Sequence, residues 1–310
     1  MSFLKWLKPV ELQANNDSFL KKYDADFFLD NSLQNEIKQR GYAVRDLLDV
    51  DSISALHDSF KEIQNHPKYS VDGLFWSSGR SSSTEIRNIA KTSIDKYIKP
   101  QLSIYFHPDV AELIGGVFVV KTPSKESSLS PHQDSSHVNE DEFLSVYAWC
   151  ALTDTTIQNG AVYVLPGSHL FGNIHRSLNI PWQFEPYKEM MWEYCIPLPM
   201  KAGQVLFFDS ATIHCSPPNL SNDLRLGANF FVQPKQAPFT HYFRDENTPT
   251  GEVEKYHVNL DYYYNENFEI KPPEKYPFLG METYRDLKLN ERKLKAMCKA
   301  ALKHSKNNDI

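Results

Sequence analysis

Between residues 113 and 234 the chain is a string of short apolar, aromatic or β-branched runs cut apart by turn residues, and this texture constrains the fold most. Residues 116–120, 143–152, 161–165, 204–208 and 226–232 each have the length and composition of a strand. Strands repeated in this way build a barrel or a sandwich. Asn159-Gly160 falls between two of them, where a turn needs a positive φ. The 310 residues leave room for one elaborated domain or two, and a chain of this size buries a large core without a disulfide or metal staple.

The first 112 residues read as a helical and mixed preface. Residues 41–44 form a short strand candidate, and Asp51 is placed to cap a helix whose apolar positions Ile53, Leu56, Phe60 and Ile63 run on toward Pro67. A second helix follows Ile86, Ile89, Ala90, Ile94 and Ile98 and stops at Pro100, and the Ser/Gly-rich stretch 77–83 between the two reads as plain linker. Residues 181–191, rich in Trp, Phe, Tyr and Met, interrupt the strands as a lid over a site or as an aromatic satellite core. From 234 to 276 the chain carries Tyr256, Tyr262, Tyr263, Tyr264 and Phe268 without a clear period and is expected to wrap the barrel. The expected organisation is one domain over 1–310: a mixed part to 112, a β core over 113–234, and a C-terminal wrap with a basic helix over 235–310.

A formal net charge of −6 argues against a broad nucleic-acid-binding face. Residues 285–306 carry +6 and the remainder −12, which fits either a solvated helix face or docking to an acidic partner or carrier. Cys150, Cys195, Cys215 and Cys298 show no CxxC spacing and fit free thiols in a reducing compartment. The start of the chain has Phe3, Leu4, Trp6 and Leu7 broken by Lys5 and Lys8, too interrupted for a signal peptide. The longest apolar stretch, 113–120, is far short of a membrane span, so the expectation is a cytoplasmic protein with no membrane partner. The final residues Asn308-Asp309-Ile310 do not form a peroxisomal tripeptide.

The chemistry concentrates in three places. His132 and Asp134 are two residues apart, so on an extended strand both side chains point to one face. His214 follows the apolar strand 204–208 and supplies a third candidate. Two imidazoles and a carboxylate bind one face of a ferrous ion and leave three positions open for co-substrate and O₂. Arg225, eleven residues on, can face the same cavity from an adjacent antiparallel strand and take a carboxylate in its planar fork, or else pair with Asp223 on the surface. His137 with Asp209 is a poorer metal set, although His137 can point toward a substrate. His169 reads as a structural histidine, Trp149 as a core aromatic, and Gln133 as turned away from the metal by strand alternation.

Pro131-His132-Gln133-Asp134, Tyr147-Ala148-Trp149, Asn159-Gly160-Ala161, Leu165-Pro166-Gly167-Ser168-His169, the run 203–208, His214-Cys215-Ser216 and Arg225 together resemble the phytanoyl-CoA dioxygenase family of Fe(II)/2-oxoglutarate oxygenases over roughly residues 113–234. The resemblance implies a mainly β fold with flanking helices, built on a double-stranded β-helix (jelly-roll) core. It implies that His132, Asp134 and His214 hold Fe(II), that Arg225 binds the distal carboxylate of 2-oxoglutarate, and that Ser216 and Trp149 line its pocket. The family uses O₂ to decarboxylate 2-oxoglutarate to succinate and CO₂ and to hydroxylate an unactivated C–H bond, with ascorbate as a supporting reductant. Related halogenases have a small residue where Asp134 stands, so the carboxylate points to a hydroxylase. The substrate expected is a small molecule or a carrier- or peptide-linked group. Two other classes stay open: a jelly-roll protein that binds metal and keto acid without turnover, and a zinc hydrolase using the same three ligands.

Overall fold

A computed structural model of the chain describes residues 12–306 apart from 14, 15, 25, 72, 267 and 268. Residues 1–11, Phe268 and residues 308–310, named above, lie outside the described residues. The strands are β1 (Tyr42–Asp46), β2 (Phe75–Ser77), β3 (Ala111–Lys121), β4 (Leu129–His132), β5 (Val146–Ala151), β6 (Val162–Val164), β7 (Ile196–Leu198), β8 (Gln204–Asp209), β9 (His214–Ser216), β10 (Arg225–Pro234), β11 (Thr240–Phe243), β12 (Glu252–His257) and β13 (Phe278–Thr283). They pair antiparallel into a six-stranded sheet ordered β1-β8-β5-β10-β3-β2, a four-stranded sheet ordered β4-β9-β6-β7, and a three-stranded sheet ordered β11-β12-β13. The first two sheets are the halves of a double-stranded β-helix. β1 and β2 come from before residue 113, so the core sheet reaches back into the N-terminal part of the chain.

Strand alternation separates two cores. On β5, Val146, Ala148 and Cys150 point outward to a helix-covered cluster, while Tyr147, Trp149 and Ala151 point between the sheets. β8 does the same with Val205 and Phe207 outward and Leu206 and Phe208 inward. Both faces are therefore covered, which is why these strands read as nearly continuous apolar runs.

The helices are α1 (Asp17–Leu20), α2 (Asn31–Arg40), α3 (Val50–Gln64), α4 (Thr84–Tyr97), α5 (Lys99–Ser103), α6 (Lys188–Met191), α7 (Leu260–Asn265) and α8 (Glu291–Lys306). Leu56, Phe60 and Ile63 of α3 and Ile86, Ala90 and Ile94 of α4 supply the outer core. Asp49, not Asp51, caps α3, accepting from Ser52 N at 2.8 Å; Asp51 lies inside the first turn, where its charge still favours the helix N-terminus. Pro100 does not stop α4. It sits in the first turn of α5, where a missing N–H costs nothing, and the break falls at Ile98. Gly41 ends α2 at φ 81° and turns the chain into β1, and a Cβ there would meet Nδ1 of His169 at 2.4 Å.

Two stretches differ from the sequence-based expectation. In the C-terminal part expected to wrap the barrel, regular structure stands where the sequence shows no clear period: Thr240–Phe243, Glu252–His257 and Phe278–Thr283 pair as the third sheet beside α7, with Tyr256, Tyr262 and Tyr276 in a small core of their own. The 77–83 stretch is not a plain linker: Ser78 is buried and its Oγ accepts from Phe118 N at 2.9 Å. In residues 181–191, Phe184 and Met191 pack with Leu294, Met297 and Ala301 of α8, so the segment is in part the satellite core. Among the described residues no helix is long and apolar enough to cross a membrane.

Candidate functional site

β4 ends at His132 and pairs with β9 so that His132 stands opposite His214. The two rings lie 4.2 Å apart between centroids, and Asp134, two residues past the strand end, brings a carboxylate oxygen to 3.7 Å from Nε2 of His214. One ligand atom from each residue falls within 4.8 Å of the others, the only such trio among the described residues. Convergence is reached although Asp134 lies beyond the last residue of the strand.

Both imidazoles are pre-set as ligands. Nδ1 of His132 donates to Ser130 O at 2.8 Å and Nδ1 of His214 donates to Thr212 O at 3.1 Å. Each bond makes Nδ1 the donor and leaves Nε2 as the nitrogen offered to the trio. Burial, reinforced by the neighbouring His214, pushes His132 down to about 4, so its ring stays neutral. Two bare nitrogens and one carboxylate on one side of a point suit a divalent iron with three positions free.

Across the interior, Arg225 opens β10 and lies in register with Lys121, the last residue of β3. β9 and β10 belong to different sheets, so Arg225 does not stand on a strand adjacent to that of His214. Arg225 is buried and not paired with Asp223: it donates to Gly160 O, its guanidinium lies 5.2 Å from the Trp149 ring centroid, and its Nε is buried without a partner. Lys121 is fully buried, with Nζ donating to Oγ of Ser216 at 2.5 Å and to Pro217 O. Burial, and then the Arg225 charge, push it down to about 6, and burial pushes Arg225 down to about 10. A buried guanidinium beside a lysine held back from charging is a costly arrangement that an anion relieves.

Two glycines make room for this pocket. Gly160 turns at φ 80° where a Cβ would meet Pro217 O at 2.6 Å. Gly227 lies under the Trp149 ring, which a Cβ would meet at 2.6 Å. Gly227→Ala therefore displaces the indole that lies against Arg225 and costs about 1–3 kcal/mol by overpacking, measurable as a lower urea midpoint at unchanged m.

A cavity of about 740 Å³ opens on His132 and Asp134, lined among others by Arg80, His137, Tyr147, His175, Trp182 and Tyr263. The 77–83 stretch thus reaches the cavity through Arg80, and the 181–191 segment through Pro181, Trp182, Gln183 and Glu185. His137 is a wall residue, with Nε2 3.0 Å from Tyr147 OH, and Asp209 is elsewhere, accepting from Tyr23 OH at 2.6 Å. His169 is buried with Nε2 donating to Lys38 O at 3.0 Å. Gln133 points away from the trio, donating to Ala211 O at 2.5 Å and accepting from Nε1 of Trp182 at 3.0 Å. Lys121 was not among the sequence-derived candidates, and the signal that could have found it is a lysine ending an apolar strand in a chain that also carries Arg225 after its His-x-Asp and His positions.

The profile of the phytanoyl-CoA dioxygenase family matches residues 37–227, more than half of the chain. The chain belongs to that family. A phytanoyl-CoA dioxygenase domain-containing protein 1 from Rattus norvegicus is 27% identical over 128 residues, 39% of this chain and 44% of that protein. A phytanoyl-CoA dioxygenase from Arabidopsis thaliana is 31% identical over 113 residues, 35% of this chain and 40% of that protein. The chain thus spans less than half the length of these curated relatives. Among solved structures, the non-heme alpha ketoglutarate dependent carbocyclase SnoK from nogalamycin biosynthesis superposes with a TM-score of 0.50 at 18% identity, over 70% of this chain and 88% of that one. That likeness covers the jelly-roll fold which this phytanoyl-CoA dioxygenase family member shares.

Proposed function

We propose that this protein is an Fe(II)- and 2-oxoglutarate-dependent dioxygenase that hydroxylates an unactivated C–H bond of a small molecule, releasing succinate and CO₂. The observation that carries this reading is the His132, Asp134 and His214 trio together with a buried Arg225 whose Nε has no partner and which stands in register with the buried Lys121, both on the six-stranded sheet. Bound iron would supply the activation of O₂. His132, Asp134 and His214 would hold it through Nε2, a carboxylate oxygen and Nε2. Arg225, with its free Nε, and Lys121 would take the distal carboxylate of the keto acid, with Ser216 orienting Lys121 and Trp149 covering the guanidinium face. The cavity volume is that of a small-molecule site, and its Tyr147, Trp182 and Tyr263 walls favour a substrate with apolar or ring surface. A zinc hydrolase would have no use for the paired cations.

The decisive experiment incubates metal-stripped protein with 2-oxoglutarate under air and measures succinate with Fe(II) and ascorbate, with Zn(II) instead, and without metal. Iron-dependent succinate supports the oxygenase. No succinate, together with no 2-oxoglutarate binding by the Fe(II) form, overturns it in favour of a hydrolase or a silent binding protein.

Lys121 adds a pH signature. With a value near 6 in the empty pocket it is neutral at pH 7.5, and a bound dianion restores its charge, so binding takes up a proton. The 2-oxoglutarate affinity therefore falls as pH rises from about 6.5 to 9, toward the tenfold-per-unit limit of one linked proton. Calorimetry in buffers of different ionisation enthalpy measures the uptake, and an affinity flat over this range contradicts the assignment. In the unliganded protein the sign is opposite for the fold: a depressed lysine costs stability in full below its folded value, and that cost fades as pH rises toward its unfolded value of about 10.4.

A further inference from the structure

The trio sits on two separate segments, residues 132–134 at the end of β4 and His214 at the start of β9, and one side chain is bonded both to the first and to Ser210 in the connection that leads into the second. Arg176 is 4% exposed and comes from neither segment. Its Nε donates to Asp134 O at 2.7 Å, and its terminal nitrogens donate to Ser210 O at 3.3 Å, to Ile174 O at 3.1 Å and to both carboxylate oxygens of Glu140, one at 2.9 Å. Its own carbonyl accepts from Ser136 N at 3.0 Å. Glu140 is as deeply buried, so the guanidinium is neutralised and aimed by a fixed carboxylate. On the far side of the same peptides, Gln133 donates to Ala211 O, one residue from Ser210.

We infer that Arg176, held by Glu140, is a positioning residue that fixes the distance between the Asp134-bearing and His214-bearing segments and so sets the affinity of the metal centre. The inference rests on the trio being a divalent-metal site. A buried ion pair is weak evidence for stability by itself, since an apolar pair of similar volume often serves as well. Its retention beside the trio makes sense through the two backbone carbonyls that only a planar, multiply donating group can join. A methionine would fill the volume and leave both carbonyls without their donor.

The test uses the full chain stripped of metal and titrated with Co(II) alone, read by its visible absorption and by competition with a chromophoric chelator. The proteins compared are wild type, Arg176→Met, the double variant Arg176→Met/Glu140→Leu, and Ile94→Ala as a control that loosens the distant helical core. Arg176→Met strands Glu140 as an uncompensated buried charge and lowers Tm sharply, and the double variant recovers much of that loss. Co(II) affinity stays 10- to 100-fold below wild type in the double variant, the range expected for a lost partner behind a ligand, with an altered spectrum. Ile94→Ala lowers Tm and leaves affinity and spectrum unchanged. A double variant that binds Co(II) as tightly as wild type with the same spectrum overturns the positioning role. A wild type that binds no Co(II) overturns instead the metal-site reading beneath it.

Discussion

Arg225→Met removes 2-oxoglutarate binding from this protein almost completely, with an expected loss of about 30- to 1,000-fold in affinity. The size follows from truncating one partner of a buried charge pair, about 2–4 kcal/mol, which includes leaving the keto-acid carboxylate in a dry pocket with half its donors. Arg225→Lys recovers only part of the loss, because an ammonium cannot reproduce the guanidinium fork or lie against the Trp149 ring. Without ligand the order of stabilities reverses. In the empty pocket the Arg225 charge is costly because it is buried, and it depresses the neighbouring Lys121, so Arg225→Met leaves the apo fold as stable as wild type or more so, and it restores part of the basicity of Lys121. Equilibrium binding together with apo thermal melts checks both halves. A variant that binds 2-oxoglutarate normally would remove the anion pocket from the mechanism, and one that binds poorly because its apo form is unfolded would show it in the melt.

The parts of this molecule legible in its sequence are those written in local pattern. The alternation on β5 and β8 and the His132-x-Asp134 spacing are visible within a few residues, and the chain order to His214 and Arg225 follows the family's own. What escaped depends on registers between distant segments. Lys121 at the end of β3 looks like a solvated strand terminus until the ladder puts it opposite Arg225. Arg176 and Glu140 lie 36 residues apart in stretches without periodicity, and nothing local marks either as buried. The third sheet was hidden because β13 is mostly exposed and carries no clean two-residue alternation of apolar and polar residues. At α3, two aspartates two residues apart both have capping chemistry. The extended backbone of Asp49 decides between them, and sequence spacing does not encode it. The family match covers 37–227, whereas the third sheet, α7 and α8 lie beyond it, and of these α7 reaches the cavity through Tyr263.

Asp134→Ala separates metal binding from folding more cleanly than any other single change. The carboxylate is the one oxygen ligand of the trio, and its loss leaves two imidazoles. Partners behind a ligand already change affinity by 10- to 100-fold, so removing a ligand itself lowers Fe(II) or Co(II) affinity by more than about 100-fold. Iron-dependent succinate formation then falls to background at any attainable metal concentration. The fold does not depend on this side chain in the same way. Arg176 bonds the backbone carbonyl of residue 134, not its carboxylate, and the side chain is 29% exposed to the cavity, so alanine strands no buried partner and leaves the clamp intact. The expected Tm of the metal-free variant lies within a few degrees of metal-free wild type, while the stabilisation that added Co(II) gives the wild type disappears. If instead the metal-free variant unfolds, Asp134 belongs to the structural network around Arg176. If it keeps wild-type metal affinity, the ion is held elsewhere and the convergence of His132, Asp134 and His214 has another cause.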